Sequence, residues 1–404
     1  MRSQIGLNCL NFQTAAIQTG FGPYIAVWLT QNGWGLKTIG IALGVGTFAQ
    51  LIAQVPGGYL VDHIHHKRRV AAAALIGLGV SAFLMTPAPT RTLVWGSQIL
   101  HAVASALMTP ALAALTLSVC GHAGFSKRLG VNASYASAGA ALSAALLGFA
   151  ATVVSERAVF QAICWMVPPA LAALLLIHPA EFGDEEEEHP ATRHPRKRQF
   201  PAWTTFREPA LHVFAVASVL FQLANAALLP AALNGLTRRG EVNGYIVSAT
   251  VIVPQVIVAI LSPLAGAWAQ KFGRRPVLLA GFAALPLRAV LFATLPSAVP
   301  LVLYQALDGV SAAVFGLMLP LIAADLTSRT GYLNLAIGSL GLAGGLGAML
   351  STTMAGVLAD RFGEPAMFLA LAGIGLLGML LLALAMPETR PVRRRDAVKA
   401  TLPA

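Results

Sequence analysis

Charged residues are scarce in this chain. Of its 404 residues, only 11% are Asp, Glu, Lys or Arg, while 56% are hydrophobic and the mean hydropathy is +0.71. A soluble domain averages about 25% charged residues. The buried helices of a large soluble protein would need charged outer faces, and the long apolar runs of this sequence do not supply them. The composition therefore argues against a soluble protein and favours an integral membrane protein.

Cysteine is also rare, and the motifs of most catalytic sites are absent. Cys9, Cys120 and Cys164 are too few and too scattered for a disulfide framework. The sequence contains no nucleophile–base constellation, no phosphate-binding loop and no metal motif. We therefore expect neither an enzyme nor an ATP-driven pump, and no cofactor.

Histidines are the remaining candidates for a metal site. His63, His65 and His66 lie in one short polar segment, and three more histidines lie at 178, 189 and 194 beside an acidic run. Imidazoles bind divalent metals such as zinc or nickel, but no spacing here matches a closed site. The pattern favours solvated loops, and no metal site is predicted.

Apolar runs long enough to cross a membrane recur along the whole chain. A hydrocarbon core about 30 Å thick needs about 20 apolar residues in a helix. The first run follows Met1 closely and lacks a small-residue cleavage site, so it is interpreted as a helix and not as a signal peptide. Twelve transmembrane helices are predicted, at 6–29, 38–62, 69–87, 92–119, 129–153, 157–177, 210–236, 244–270, 275–296, 299–326, 332–360 and 365–386.

Basic residues are distributed unevenly between the two sets of predicted loops. The net charge is +11, which would suggest nucleic-acid binding in a soluble protein. Here, 20 of the 27 Lys and Arg residues fall in both tails and in alternate loops, 6 fall in the opposite loops, and one lies within a span. This asymmetry follows the positive-inside rule. It predicts a plasma or inner membrane protein with both termini in the cytoplasm, and it excludes nucleic acid as a partner.

The chain is internally duplicated. Gly58–Arg68 aligns with Gly266–Pro276, and Gly148–Phe160 aligns with Gly356–Phe368, both at an offset of 208 residues. Duplicated membrane bundles are typical of secondary transporters. We therefore predict an all-α integral membrane protein with two pseudo-symmetric six-helix bundles. Its predicted units are an N-terminal bundle at 1–177, a cytoplasmic linker at 178–209, a C-terminal bundle at 210–388 and a basic cytoplasmic tail at 389–404.

The repeated basic loop resembles a motif of the major facilitator superfamily. That motif reads roughly Gly-x-x-x-Asp-(Arg/Lys)-x-Gly-(Arg/Lys)-(Arg/Lys). In the first copy Gly58 and Asp62 match, with histidines in place of the next basic residue and of the second glycine. In the second copy Gln270 replaces the acidic residue, while the matching positions are Gly266, Lys271, Gly273, Arg274 and Arg275. The resemblance covers about residues 5–388 and implies the fold of that superfamily.

The same loop is expected to act as a conformational latch. A carboxylate at Asp62 could pair with a basic group or meet the N-terminus of a helix. The resemblance implies that this contact stabilises the outward-facing state. The alternative is that Asp62 and its basic neighbours only fix the topology. The predicted latch residues are Gly58, Asp62, Lys67, Arg68, Gly266, Lys271, Gly273, Arg274 and Arg275.

Three ionisable residues lie deep within predicted spans, where charge is costly. They are His101, Arg288 and Asp308. Gln98-x-x-His101 aligns with Gln305-x-x-Asp308, so the duplication places His101 and Asp308 at equivalent positions. Asp308 lies about 13 Å and Arg288 about 12 Å from the outer ends of neighbouring antiparallel spans.

We therefore predict an Arg288–Asp308 pair that couples proton movement to transport. A static pair that fixes helix packing is the alternative. His101 could share the proton, since its ordinary pKa is about 6.5, or it could be a neutral hydrogen-bonded core residue.

Polar side chains on the first, second, fourth, seventh, eighth and tenth spans are candidates for a substrate cavity. The resemblance implies a cavity lined by the first, fourth, seventh and tenth. Amides in a membrane bundle recognise hydrogen-bonding solutes, but they also tie helices together. With Arg288 nearby, an anionic or carboxylate-bearing solute is favoured. The candidates are Asn11, Thr14, Gln18, Gln50, Gln98, Gln222, Asn225, Gln255 and Gln305.

The expected function is transport of a small organic solute by a monomeric, proton-coupled symporter. The alternative within the same fold is a proton-driven efflux antiporter for drugs or metabolites. Two patterns of the superfamily are missing, however. Many members carry an Arg-x-x-Gln-Gly run in the fourth span, where this chain has Gln98-Ile-Leu-His101-Ala102 and the Arg is therefore replaced, and the Gly-Pro run of many antiporters is absent from 129–153. An alternative from a different functional class is a membrane receptor or enzyme with a transporter-like fold.

Overall fold

The computed structural model describes residues 2–34, 36–178, 202–239, 241, 244–295, 297–328 and 330–390. These residues are helical throughout, apart from short connections, and contain no strand. Most of the predicted linker and residues 391–404 of the predicted tail lie outside the described residues. The helices are α1 (Arg2–Gln31), α2 (Leu36–His63), α3 (Lys67–Leu84), α4 (Arg91–Val153), α5 (Glu156–Leu175), α6 (Pro209–Asn225), α7 (Leu228–Arg238), α8 (Gly244–Phe272), α9 (Arg274–Thr294), α10 (Ala298–Thr327), α11 (Leu333–Phe362) and α12 (Glu364–Ala385), with a short 3-10 helix at Ala202–Arg207.

Ten helical segments in the described part of the chain are long and apolar enough to cross a membrane. The prediction of an all-helical, multi-pass membrane protein is therefore confirmed. The two remaining predicted spans, 6–29 and 69–87, coincide with α1 and α3. The count of twelve crossings stays a prediction.

The predicted spans 92–119 and 129–153 both lie in α4, which bends at Gly121. Gly121 has φ 60°, a conformation that glycine adopts at little cost. Asn132 Nδ2 donates to Thr116 Oγ1 at 2.8 Å. Sixteen residues of straight helix would separate these groups by roughly 24 Å, so the two arms of α4 fold back on each other. The first arm is Arg91–His122 and the second is Gly124–Ala151.

The predicted continuous span 210–236 is interrupted in the structure. The helix α6 ends at Asn225 and α7 begins at Leu228. Pro230 has no N–H to donate to the carbonyl of Ala226, which explains a break at this point. The N–H of Ala227 instead donates to Ser351 Oγ in α11 at 3.0 Å. The interruption leaves Asn225 at the end of a helix inside the bundle.

Two buried apolar clusters form the core. The residues of the first cluster come from the sequence range Leu7 to Ile177. The second cluster is built from residues of α6–α12 together with Ala113 and Phe125. We call residues 2–178 the N-terminal half and residues 202–390 the C-terminal half. The halves meet where α2 packs on α11 and where the second arm of α4 packs on α8. Small residues allow this close approach, as is usual between membrane helices.

Candidate functional site

Arg288 of α9 and Asp308 of α10 form an ion pair in the interior of the C-terminal half. The Arg288 side chain is 2% exposed, whereas Asp308 is 25% exposed. An unpaired buried guanidinium would be strongly destabilising, so Asp308 offsets the cost of burying Arg288. The carboxylate is thus partly exposed, whereas the guanidinium is enclosed.

Two of the predicted amide residues belong to the same network. Arg288 Nη2 donates to Asn225 Oδ1 at 2.7 Å, and Arg288 Nη1 donates to Gln305 Oε1 at 3.3 Å. The guanidinium thus connects α9, α10 and the interrupted end of α6. Arg288 Nε and Gln305 Nε2 are buried without a hydrogen-bond partner among the described residues. Buried donors of this kind are normally satisfied, so the site has donors to offer an acceptor group.

The third ionisable candidate, His101, lies elsewhere. Its ring stacks on Phe21 with centroids 3.8 Å apart, and Nδ1 lies 3.4 Å from Ser81 Oγ. These partners are on α1 and α3 of the N-terminal half. The geometry suits a hydrogen-bonded packing residue, and a share in proton transfer stays a prediction.

A separate cavity of about 340 Å³ lies between the two halves. Asn11, Thr116 and Asn132 face it from the N-terminal half, and Gly316 from the C-terminal half. Gly316 lies eight residues beyond Asp308 along α10, or roughly 12 Å. The structure therefore brings Asn11 to this cavity and not to the ion pair.

The other predicted cavity residues differ in burial. Thr14 and Gln98 are buried, and each keeps one side-chain polar atom without a partner among the described residues. Gln18, Gln222 and Gln255 are half-buried. Gln50 is exposed on α2, a position open to solvent or lipid.

Asp62, near the end of α2, caps the first turn of α11 in the opposite half. Its Oδ1 accepts from the backbone N–H of Asn334 at 3.2 Å and from Asn334 Nδ2 at 2.9 Å. Its Oδ2 accepts from the N–H of Leu335 at 2.8 Å. The first N–H groups of a helix have no partner within it, and the helix dipole favours a carboxylate there. Tyr332, which precedes α11, provides no side-chain cap of its own. We call this end of the bundle, where α2 ends and α11 begins, the latch end.

A second contact between the halves lies at the pseudo-symmetric position. Ser126 Oγ of α4 donates to the carbonyl of Gly266 in α8 at 2.7 Å, and Ser134 Oγ donates to the carbonyl of Ala259 at 2.5 Å. Both copies of the repeated motif thus begin with a glycine that touches the other half. Of the predicted latch residues, Gly58, Asp62 and Gly266 make these contacts.

The remaining predicted latch residues have contacts within their own half. Lys67 Nζ donates to the carbonyl of Val61, and Arg68 Nη2 to that of Leu175. Arg275 donates to the carbonyl of Ala383. Lys271 lies over the ring of its neighbour Phe272, and Gly273 immediately precedes α9 with a positive φ.

Two carboxylates beside the second loop, Asp325 and Glu388, were not among the residues predicted from the sequence. Arg274 Nε donates to Asp325 Oδ2 at 2.9 Å, with both side chains 6% exposed. Glu388 accepts from the N–H of Arg274 at 2.7 Å and of Arg275 at 3.1 Å, so it caps α9. The sequence does show an isolated Asp near the end of an apolar helix and a lone Glu before an arginine-rich tail. These two features could have indicated the contacts.

Gly58 makes the closest approach at the latch end, and its replacement is expected to loosen that end. A Cβ at Gly58 would overlap the carbonyl oxygen of Asn334, which is backbone and cannot move aside cheaply. Ala is the better helix former by about 1 kcal/mol, but overpacking costs about 1–3 kcal/mol. The measurement uses a cysteine introduced as Gln54→Cys and a membrane-impermeant thiol reagent. We expect Gly58→Ala to speed the labelling of this cysteine up to about tenfold. Gln54 lies in the interface against Gly341.

Gly44→Ala is the matched control for this measurement. It lies on the same helix, and a Cβ there would have no described atom within 4 Å. Equal labelling rates for the two variants would contradict the steric argument.

A family model described as the MFS_1 like family matches residues 7–370. An uncharacterized MFS-type transporter of Mycobacterium tuberculosis, found in two strains, is 34% identical over 393 residues. The match covers 95% of this chain and 93% of that protein.

Solved structures share the fold. The human organic anion transporter MFSD10 (TETRAN) superposes with a TM-score of 0.68 at 15% identity, covering 94% of this chain and 98% of that one. A variant of the Escherichia coli fucose:proton symporter FucP superposes with a TM-score of 0.72 at 16% identity, with the same coverage.

Proposed function

The chain belongs to the MFS_1 like family of major facilitator transporters, and on that premise we propose that it moves a small organic solute together with protons by alternating access. It is a multi-pass membrane transporter and not an enzyme.

Proton coupling is supported by the Arg288–Asp308 pair. When Asp308 is ionised, it pairs with Arg288. Protonation removes its negative charge, which weakens the pair and leaves the guanidinium with Asn225 and Gln305 as acceptors. Because Asn225 lies at the break between α6 and α7, this change reaches the helix junction directly. A cycle of protonation can thus alter helix packing without any other cofactor.

An anionic solute is supported by the donors that surround this pair. Arg288 presents a planar set of N–H groups that suits a carboxylate, and two nearby donors are buried without partners among the described residues. The two structural neighbours are named for an organic anion and for fucose with a proton. At 15% and 16% identity, these similarities support the fold alone. The preference for an anionic solute therefore depends on Arg288.

An outward-facing state is supported by the contacts at the latch end. Asp62 and Gly58 join α2 to α11 there, and Ser126 and Gly266 join the second arm of α4 to α8. The distribution of basic residues supports a cytoplasmic location for the latch end and both termini. We therefore propose that the closed side of this structure faces the cytoplasm and that the protein lies in the plasma or inner membrane, and we expect it to be a monomer.

Solute-induced proton movement in proteoliposomes tests the proposal. The purified protein is challenged with organic anions, zwitterions, sugars and cationic drugs, and internal pH is followed with a trapped dye. We expect an organic anion to drive proton movement in the same direction as itself. Proton movement opposite to a cationic drug would identify the efflux antiporter instead. Solute movement with no proton movement would show a uniporter or exchanger.

A further inference from the structure

A second cavity, of about 660 Å³, lies on the outside of the N-terminal half at the latch end. It is bounded by the start of α3, the end of the first arm of α4 and the end of α5. Residues 65–69 form one wall, and Ala72, Ala114 and Leu175 contribute to the other. The cavity shares no lining residue with the one between the halves, and it does not include the ion pair.

The wall formed by residues 65–69 is built for a negative charge. It presents His65, His66, Lys67, Arg68 and Arg69 in succession, and no carboxylate is among the described residues that line the cavity. The helix α3 begins within this wall, with no acidic residue in its first turn and no side-chain cap from His66. Its N-terminal dipole adds to the positive potential of the three permanent cations.

The opposite wall is mostly apolar, and it ends in exposed leucines. Leu175 is 68% exposed and the next residue, Leu176, is 42% exposed. Arg68 Nη2 donates to the carbonyl of Leu175 at 3.3 Å, so the basic and apolar walls are tied together. A cationic wall beside exposed leucines, at the ends of membrane helices, matches the boundary between headgroups and acyl chains.

We propose that this cavity binds an anionic phospholipid of the leaflet at the latch end. The phosphate lies against the start of α3 and residues 66–69, and the first part of an acyl chain lies along Ala72 and Leu175. A free phosphate has the negative charge but no acyl chain. The apolar wall therefore favours the phospholipid over free phosphate. The site does not depend on the transported solute or on proton coupling, and only the choice of leaflet rests on the proposed orientation.

Native mass spectrometry of the detergent-purified protein tests this site. The protein is titrated with phosphatidylglycerol and, separately, with phosphatidylcholine of the same chain length. We expect phosphatidylglycerol to be retained preferentially. Arg69→Gln removes one exposed cation and should weaken retention about fivefold. Ala72→Leu keeps every charge but fills part of the cavity, and it should weaken retention as well.

Arg91→Gln is the matched control, because Arg91 is an exposed cation at the start of α4, at the opposite end of the bundle. Retention in this variant should equal that of the unmodified protein, with all variants checked for a single gel-filtration peak. Equal retention of the two lipids, or equal losses in Arg69→Gln and Arg91→Gln, would overturn the proposal. Displacement of phosphatidylglycerol by millimolar inorganic phosphate would assign the site to a free anion and overturn it too.

Discussion

In Asp308→Asn, solute-driven proton movement is expected to fall to the level of protein-free vesicles, while exchange of labelled solute across the membrane continues. Asn has nearly the shape of Asp but binds no proton in the physiological range. The variant keeps the packing of α10 and loses the exchangeable charge next to Arg288. Proton movement is followed with a trapped pH dye, and exchange with radiolabelled solute in vesicles loaded with the same solute.

This variant also leaves Arg288 buried without its counter-ion. Breaking a buried pair from one side costs about 3–5 kcal/mol, so a loss of activity could come from unfolding. Removing both partners at once is close to neutral for stability in such pairs. The double variant Asp308→Asn with Arg288→Gln should therefore regain thermal stability and still move no protons. Proton movement in the double variant would show that the pair is static.

The same assay separates the two interpretations of His101. As a packing residue against Phe21, it can be replaced by Gln with proton coupling retained, since Gln can keep the hydrogen bond to Ser81. Loss of coupling in His101→Gln, with exchange preserved, would instead give His101 a share in proton transfer.

Asp62→Asn is expected to shift the protein away from the state seen here by roughly tenfold. Asp62 accepts three hydrogen bonds at the start of α11, and bonds to a charged group are worth about 1.5–3 kcal/mol each. Asn keeps one acceptor oxygen and loses the charge that the helix dipole favours. A loss of about 1.4 kcal/mol already changes a two-state ratio tenfold.

Pulsed electron spin resonance across the latch end measures this shift. Spin labels at His65→Cys and Ser328→Cys report the separation of the halves, because both residues are exposed and lie in opposite halves. The three native cysteines are replaced beforehand. In Asp62→Asn the population of long distances should grow, whereas Asp360→Asn, an exposed carboxylate at the other end of α11, should leave it unchanged. An unchanged distribution in Asp62→Asn would mean that Asp62 only fixes topology.

The helices themselves could be predicted from the sequence because apolar length and the duplication are properties of the chain alone. The Arg288–Asp308 contact could also be anticipated, since a short turn makes the two helices antiparallel neighbours and both residues lie at a similar depth. Buried charges demand a partner, which makes the pairing of rare ionisable groups in adjacent helices a strong inference.

The interruptions and the capping contacts could not be predicted in the same way. At the break after Asn225, which Pro230 explains, the N–H of Ala227 donates to Ser351 of α11, a partner that the local sequence does not indicate. Two of the hydrogen bonds that Asp62 accepts come from the backbone N–H groups of Asn334 and Leu335, and backbone groups are the same in every sequence. Glu388 likewise caps α9 only because the segment after α12 packs against the start of α9. Such contacts are set by tertiary packing and leave little trace in local composition.

Coupling of solute movement to protons through Asp308 is tested by accumulation of the identified solute in proteoliposomes that start with no solute gradient and carry an imposed pH gradient, acid outside. We expect the unmodified protein to concentrate the solute inside above its external level, and we expect Asp308→Asn to bring it only to equilibrium. Accumulation by both proteins, or by neither while exchange proceeds, would show that Asp308 does not couple transport to protons.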